Sequence, residues 1–221
     1  FGAICALMYA YAYMNKHDNS DKESLLKTLR FGWIGILVLG FSAVVYLAVS
    51  INGNLDAGRE RYGSLANYFI FNDEWGTYRG YIWRAAMEEY LKKPIEHIIF
   101  GTGPDTFGIY ITKARYVEMT NVTGQFFDAV HNEYLQFLFT LGPVATICYI
   151  LALIVPSVKA LRTKISDLGN TNSAPFLYAC AFAVICYATQ AIVNLNLPVV
   201  TPFLWIFLSM MVSMLRNKGE A

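Results

Sequence analysis

Five stretches of this chain carry no charged side chain: residues 1–14, 33–51, 135–158, 174–194 and 198–215. The 17 Lys and Arg and 16 Asp and Glu all lie between them. A helix on the surface of a soluble protein needs a polar face, whereas a membrane-crossing helix needs about 20 mostly apolar residues. The four longer runs fit the second description. The first run is short and reads as the end of a span, so the chain is expected to be cut from something longer. Only 15% of residues are charged, against roughly a quarter in soluble domains. The prediction is an all-α fold: a polytopic transmembrane helix bundle with a large extracytoplasmic loop that contains short helices.

Basic residues in short loops orient such a bundle. Lys16, Lys22, Lys27 and Arg30 follow the first run, Lys159, Arg162 and Lys164 follow the third, and Arg216 and Lys218 end the last. All three groups fall on one side by parity, which assigns that side to the cytoplasm. The domains are then 1–51 (transmembrane helices, the first truncated, with a cytoplasmic loop at 15–32), 52–134 (extracytoplasmic) and 135–221 (three transmembrane helices and a cytoplasmic tail). No basic block exists that would bind nucleic acid. Cys5, Cys148, Cys180 and Cys186 sit in apolar runs with no metal or redox spacing.

The segment 52–134 is too long for a plain connector and too aromatic for a disordered one. Residues 78–93 are rich in helix formers, and Pro94 stops them. Glu88 and Glu89 precede Lys92 and Lys93 by four, the favourable order for ion pairs. Arg79, Trp83, Met87 and Tyr90 share one face by spacing. The stretch Gly101-Thr-Gly-Pro-Asp105 is a turn, and a further helix is expected from about Asp128 or His131 into the span at Leu135.

No nucleophile elbow, phosphate loop or dinucleotide fingerprint is present. The acidic pair Asp21-Lys22-Glu23 lies on the predicted cytoplasmic side, so no metal site is expected in the loop and no cofactor is called for. The loop does offer arginine and histidine. Guanidinium groups of Arg79 and Arg84 suit phosphate oxygens, and the imidazole of His131, where the loop meets the membrane, could take a proton from a hydroxyl near neutral pH. Spacing alone leaves open that these are a surface cation and a satisfied histidine.

In order along the chain stand Arg79-Gly-Tyr-Ile-Trp83, Pro94, Gly101-Thr-Gly-Pro-Asp-Thr-Phe107, His131-Asn132-Glu-Tyr-Leu-Gln and Leu141-Gly142. This order resembles the O-antigen ligase and O-antigen polymerase superfamily of membrane glycosyltransferases, most closely over residues 52 to about 155. The resemblance implies an enzyme of the cytoplasmic (inner) membrane, multi-pass, that moves a glycan from a polyprenyl-diphosphate carrier to an acceptor hydroxyl on the outer face. The transfer would be inverting and metal-independent, and the acceptor would be a glycan, lipid or protein. By matching position Arg79 would bind the diphosphate, His131 would activate the acceptor and Asn132 would orient it. Arg84 and Asn194 are further substrate-binding candidates, and Trp83 and Gly103 would be structural.

There are departures. An arginine that relatives carry at an earlier span would precede Phe1, so this length of chain is expected to be inactive alone. Pro143 stands where many relatives have another residue, and it should kink the start of the span. A late-span acidic residue of some ligases has no counterpart here, and Asn194 and Asn196 are the nearest polar groups. The alternative class is a non-catalytic transporter or scaffold for surface polysaccharide export. Charge-free spans argue against an ion-coupled transporter.

Overall fold

A computed structural model describes residues 23–163 and 173–217, and every regular element among them is helical. The run at 1–14, the pair Asp21-Lys22 and Lys164 lie outside the described residues. The helices are α1 (Glu23–Gly53), α2 (Leu55–Tyr62), α3 (Trp75–Leu91), α4 (Ile95–Phe100), α5 (Phe107–Thr123), α6 (Glu133–Arg162), α7 (Ser173–Gln190) and α8 (Thr201–Asn217), with a 3₁₀ turn at Gly63–Tyr68. The chain divides into two compact units, one built on residues up to 70 and the other on residues 71–161 and 178–215.

In the first unit α1 contains a stretch, Ile34–Gly53, long and apolar enough to cross a membrane. Its side chains are almost all uncovered by protein; Leu39 is 72% and Phe41 73% exposed. Only its far end is dressed. Ile51, Ala66 and Ile70 bury one another there, with Leu47, Tyr62 and Phe69 packed around them. Asn54 caps α2 by accepting the Ala57 N–H, and Asn52 Nδ2 donates back to Ala48 O and across to Phe69 O.

In the second unit α6 is the only other helix, among the described residues, of spanning length and composition. The remaining apolar stretches, Phe176–Gln190 and Thr201–Arg216, are shorter than the uncharged runs 174–194 and 198–215 that they overlap. α7 stops at Gln190, and the chain turns through residues 191–200 before α8 begins.

α6 is not straight. Gly142 leaves helical geometry (φ 82°, ψ 172°) immediately before Pro143, whose ring disfavours the helical region for its predecessor. Sixteen residues of straight helix span roughly 24 Å, yet the Tyr149 hydroxyl meets the Glu133 carboxylate at 2.6 Å, and the Phe137 and Tyr149 rings lie 4.6 Å apart. The two arms, 133–141 and 143–162, are therefore folded onto each other at Gly142. The expected kink exists, and it is a sharp fold. Residues 143–162 alone are long enough to span.

The fold leaves carbonyls without helical partners. Pro143 has no N–H for Phe139 O, and the bend removes the partner of Thr140 O. Lys93 Nζ donates to Phe139 O at 2.9 Å, with Thr102 Oγ1 at 3.3 Å, and the Gly103 N–H donates to Thr140 O at 2.8 Å. The turn 101–103 thus lies backbone to backbone on the hinge. A Cβ at Gly101 would come within 2.1 Å of Thr140 O, and one at Gly142 within 2.1 Å of Ile99 O.

The core of this unit is Tyr81, Ile82, Ala85, Ala86 and Tyr90 of α3, Phe107, Ile111 and Met119 of α5, with Phe127, Val130 and Phe139. The buried stripe of α3 therefore runs beside the line Arg79, Trp83, Met87, and Met87 is 37% exposed. The helix at 107–123 was not anticipated, because its β-branched and polar residues give no clear periodicity. Arg115 secures it to α3: it donates to Glu89 Oε1 at 2.7 Å and to Glu88 Oε2 at 2.6 Å. The expected ion pairs four residues apart do not form. Lys92 bonds Glu89, three residues back. Lys93 is drawn away to the hinge carbonyl, where it lies 2.9 Å from the centre of the Phe139 ring.

Candidate functional site

Regular helix begins at Arg79, and the residues before it are unusual. Gly76, Thr77 and Tyr78 all have left-handed backbone, φ 61°, 62° and 67°. A single left-handed residue costs about 1–2 kcal/mol, and a β-branched one is a rarity there. This turn folds the chain back so that the Tyr81 N–H reaches Asp73 O at 3.0 Å. Gly80 lies so close to Asn72 O that a Cβ would stand 1.9 Å from it. Arg79 Nη1 then donates to Gly76 O at 2.6 Å. Its Nε is buried and has no hydrogen-bond partner.

His131 stands two residues before α6 in a left-handed conformation of its own, φ 56°. Three tethers hold it from either side. The Trp83 indole N–H donates to Val130 O at 3.0 Å, the Val130 N–H donates to Gln136 Oε1 at 3.0 Å, and Asn132 Oδ1 accepts the Leu135 N–H at 3.0 Å. The His131 ring meets the Phe127 ring edge to face at 5.9 Å. Trp83 is one helical turn beyond Arg79, so the indole bond brings the arginine helix to the histidine loop. The two residues are in electrostatic reach. Burial, and then the Arg79 charge, push the His131 imidazole below its ordinary value, while Asp128 pushes it up. The neutral ring, the form that can accept a proton, is favoured.

The other expected substrate contacts are placed differently. Arg84 is gripped by Asp73 through two bonds, Nε to Oδ1 at 3.0 Å and Nη2 to Oδ2 at 2.6 Å, and its Nη1 donates to Glu88 at 3.0 Å. These partners raise its pKa further and lower that of Asp73. Asn132 caps α6 with its side-chain oxygen. Asn194 Oδ1 accepts the adjacent Leu195 N–H. Asn196, not Asn194, reaches across the sequence: its Nδ2 donates to Glu133 at 3.2 Å.

Two residues near the site escaped sequence reasoning. Gln136 gave a weak signal, standing four residues after Asn132 on the same helical turn. Glu133 is 1% exposed, in a region that otherwise looks like the rim of a span; a carboxylate beside a 24-residue apolar run was the available hint. Among the described residues no group of three or more His, Cys, Asp or Glu is placed to hold a metal ion. A family model described as O-antigen ligase matches residues 1–150 of the chain. No curated protein matches it, and no solved structure does.

Proposed function

The chain belongs to the O-antigen ligase family, whose membrane-associated members act in polysaccharide biosynthesis, and we propose that it transfers a glycan from a polyprenyl-diphosphate carrier to an acceptor hydroxyl. The reaction takes place at the outer face of the cytoplasmic membrane, in a multi-pass helix bundle. The observation that carries this reading is the pairing of Arg79 with His131. An arginine with a buried, unpartnered N–H lies within electrostatic reach of a histidine biased towards its neutral form, and one indole bond links their two elements.

The chemistry follows from those two groups. The acceptor oxygen attacks the anomeric carbon of the carrier-linked sugar. The bond from that carbon to the diphosphate oxygen breaks, and the electron pair leaves with the polyprenyl diphosphate. Arg79 binds the departing diphosphate, and its charge counters the negative charge that develops there. His131 takes the proton from the attacking hydroxyl. Attack from the side opposite the leaving group inverts the anomeric centre. In this scheme a guanidinium rather than a metal ion counters the charge on the leaving diphosphate, so the transfer is metal-independent. Asn132 holds the end of α6 from which His131 projects. Arg84 instead ties α3 to the segment at Asp73, which leaves Arg79 as the diphosphate ligand.

The test is transfer from a polyprenyl-diphosphate-linked oligosaccharide into host-membrane acceptor, measured in membranes with the full-length protein that contains this chain. His131→Ala should lower kcat by about 10³-fold, the scale of losing an acid–base group. Arg79→Ala should lower kcat/KM at least as much, through the donor. Full activity in both variants, at normal membrane levels, would falsify the assignment.

A further inference from the structure

We infer that Glu133 is a positioning residue, whose buried carboxylate clasps the fold of α6 and thereby keeps His131 within reach of Arg79. This rests on the transfer reaction proposed above, and it concerns a residue outside the reacting pair.

Glu133 is 1% exposed. A carboxylate taken out of water costs several kcal/mol, and an apolar residue packed in its place would often be no less stable. Apolar burial alone therefore does not account for a carboxylate here. Its partners show what does. Tyr149, from the second arm of α6, donates to Oε1 at 2.6 Å; Tyr187, from α7, donates to Oε2 at 2.9 Å; Asn196, from the turn before α8, donates to Oε1 at 3.2 Å. Three pieces of chain, separate in sequence, converge on one side chain. The backbone repeats the pattern: the Glu133 N–H donates to Ala191 O at 2.9 Å, and the Tyr134 hydroxyl donates to Ala188 O at 2.7 Å.

The geometry makes this clasp the partner of the hinge. Gly142 supplies the bend, and backbone contacts with the 99–103 segment hold that end. A hinge alone does not set the angle between two arms. The Glu133–Tyr149 bond lies at the open end, where it has the longest lever, and Tyr187 and Asn196 fix that end to its surroundings. His131 is two residues away in a left-handed conformation, connected to the clasp through only Asn132. A change of angle at the open end of the arm moves the imidazole directly, while Arg79 stays on α3. Displacement of a reacting group by about 1 Å is enough to cost roughly 10²-fold in rate.

The experiment reads kcat and KM separately, with a polyprenyl-diphosphate-linked oligosaccharide as donor and host membranes as acceptor. Glu133→Ala should lower kcat by about 10²-fold with donor KM within threefold of the parent. Glu133→Gln, which keeps the size and an acceptor oxygen, should recover most of that loss. Spin labels at Phe126→Cys and Val193→Cys, in a background whose four native cysteines are replaced by serine, supply a readout independent of activity: one narrow distance in the parent, and a broadened one when Glu133→Ala is added. If the alanine variant does not accumulate, Tyr149→Phe, which removes a single clasp bond, should still lower kcat about tenfold. Parental kcat in whichever variant accumulates, or an unchanged label distance, overturns the inference. So does a loss borne wholly by KM. A fully active His131→Ala would instead overturn the transfer mechanism, while the label distances would still report on the clasp.

Discussion

α1 and α6 are the two helices of spanning length among the described residues, and they use their apolar surface in different ways. Only 6% of the apolar window of α1 is buried by protein, against 33% of that of α6. α1 carries glycines with open space around them, and polar side chains contact it chiefly at the Asn52 end. α6 is broken at a glycine that another backbone presses against, it borrows a lysine and an amide N–H for its freed carbonyls, and it buries a carboxylate. Similar apolar runs thus have different roles. A helix whose side chains meet little protein should tolerate change along its length. In the proposed scheme α6 has a histidine to aim, and it carries polar fastenings at both its hinge and its free end.

The contrast can be broken most directly at its glycines. Gly142→Ala should destabilise the protein by about 2–4 kcal/mol, because the new methyl meets Ile99 O at 2.1 Å on a left-handed backbone. Gly40→Ala in α1, with nothing within 4 Å, should be neutral or slightly stabilising, within roughly 1 kcal/mol. Denaturation midpoints in detergent micelles measure both, and equal losses would erase the distinction between the helices.

Next in size is Lys93. Burial pushes its amine down to about 8, yet it remains the closest donor to Phe139 O. Lys93→Met should cost about 1–2 kcal/mol by leaving that carbonyl to Thr102 alone. Unchanged stability would mean that the proline break needs no outside donor.

Arg84→Gln should be milder. Its bonds to Asp73 and Glu88 are more than 40% exposed at both ends, and such pairs contribute about 1 kcal/mol or less. Transfer activity should stay within about threefold, since the scheme gives it no contact with the donor. A larger loss would make Arg84 a second diphosphate ligand.

The smallest effect concerns pH. Asp128 raises the His131 pKa, opposing burial and Arg79. Asp128→Asn removes that support, so the imidazole stays neutral to lower pH. The acid limb of kcat/KM should move to lower pH. A shift upward, or none, would remove His131 as the group that sets that limb.

Much of the candidate site could be named from the sequence because few side-chain types suit phosphate binding and proton transfer. A guanidinium four residues before a tryptophan, and a histidine-asparagine pair at the start of a span, could be named before any coordinates. The face of α3 was harder. Arg79 and Trp83 share a line, but the buried stripe beside it, Tyr81, Ile82, Ala85 and Ala86, includes small residues whose burial depends on what packs against them. The expected Glu–Lys pairs failed for a similar reason: helical spacing offers a partner, and tertiary structure offered Lys93 a carbonyl and Arg115 two carboxylates.

The sequence by itself determined the apolar runs, the helical class and the residue types capable of transfer chemistry, since each depends on local composition or on a short ordered motif. Tertiary structure decided the depth of the fold at Gly142, the commitment of Arg84 to Asp73 and the convergence of Tyr149, Tyr187 and Asn196 on Glu133. Those depend on which distant groups meet, and no pattern of neighbours along the chain encodes the distance between residues 133 and 196.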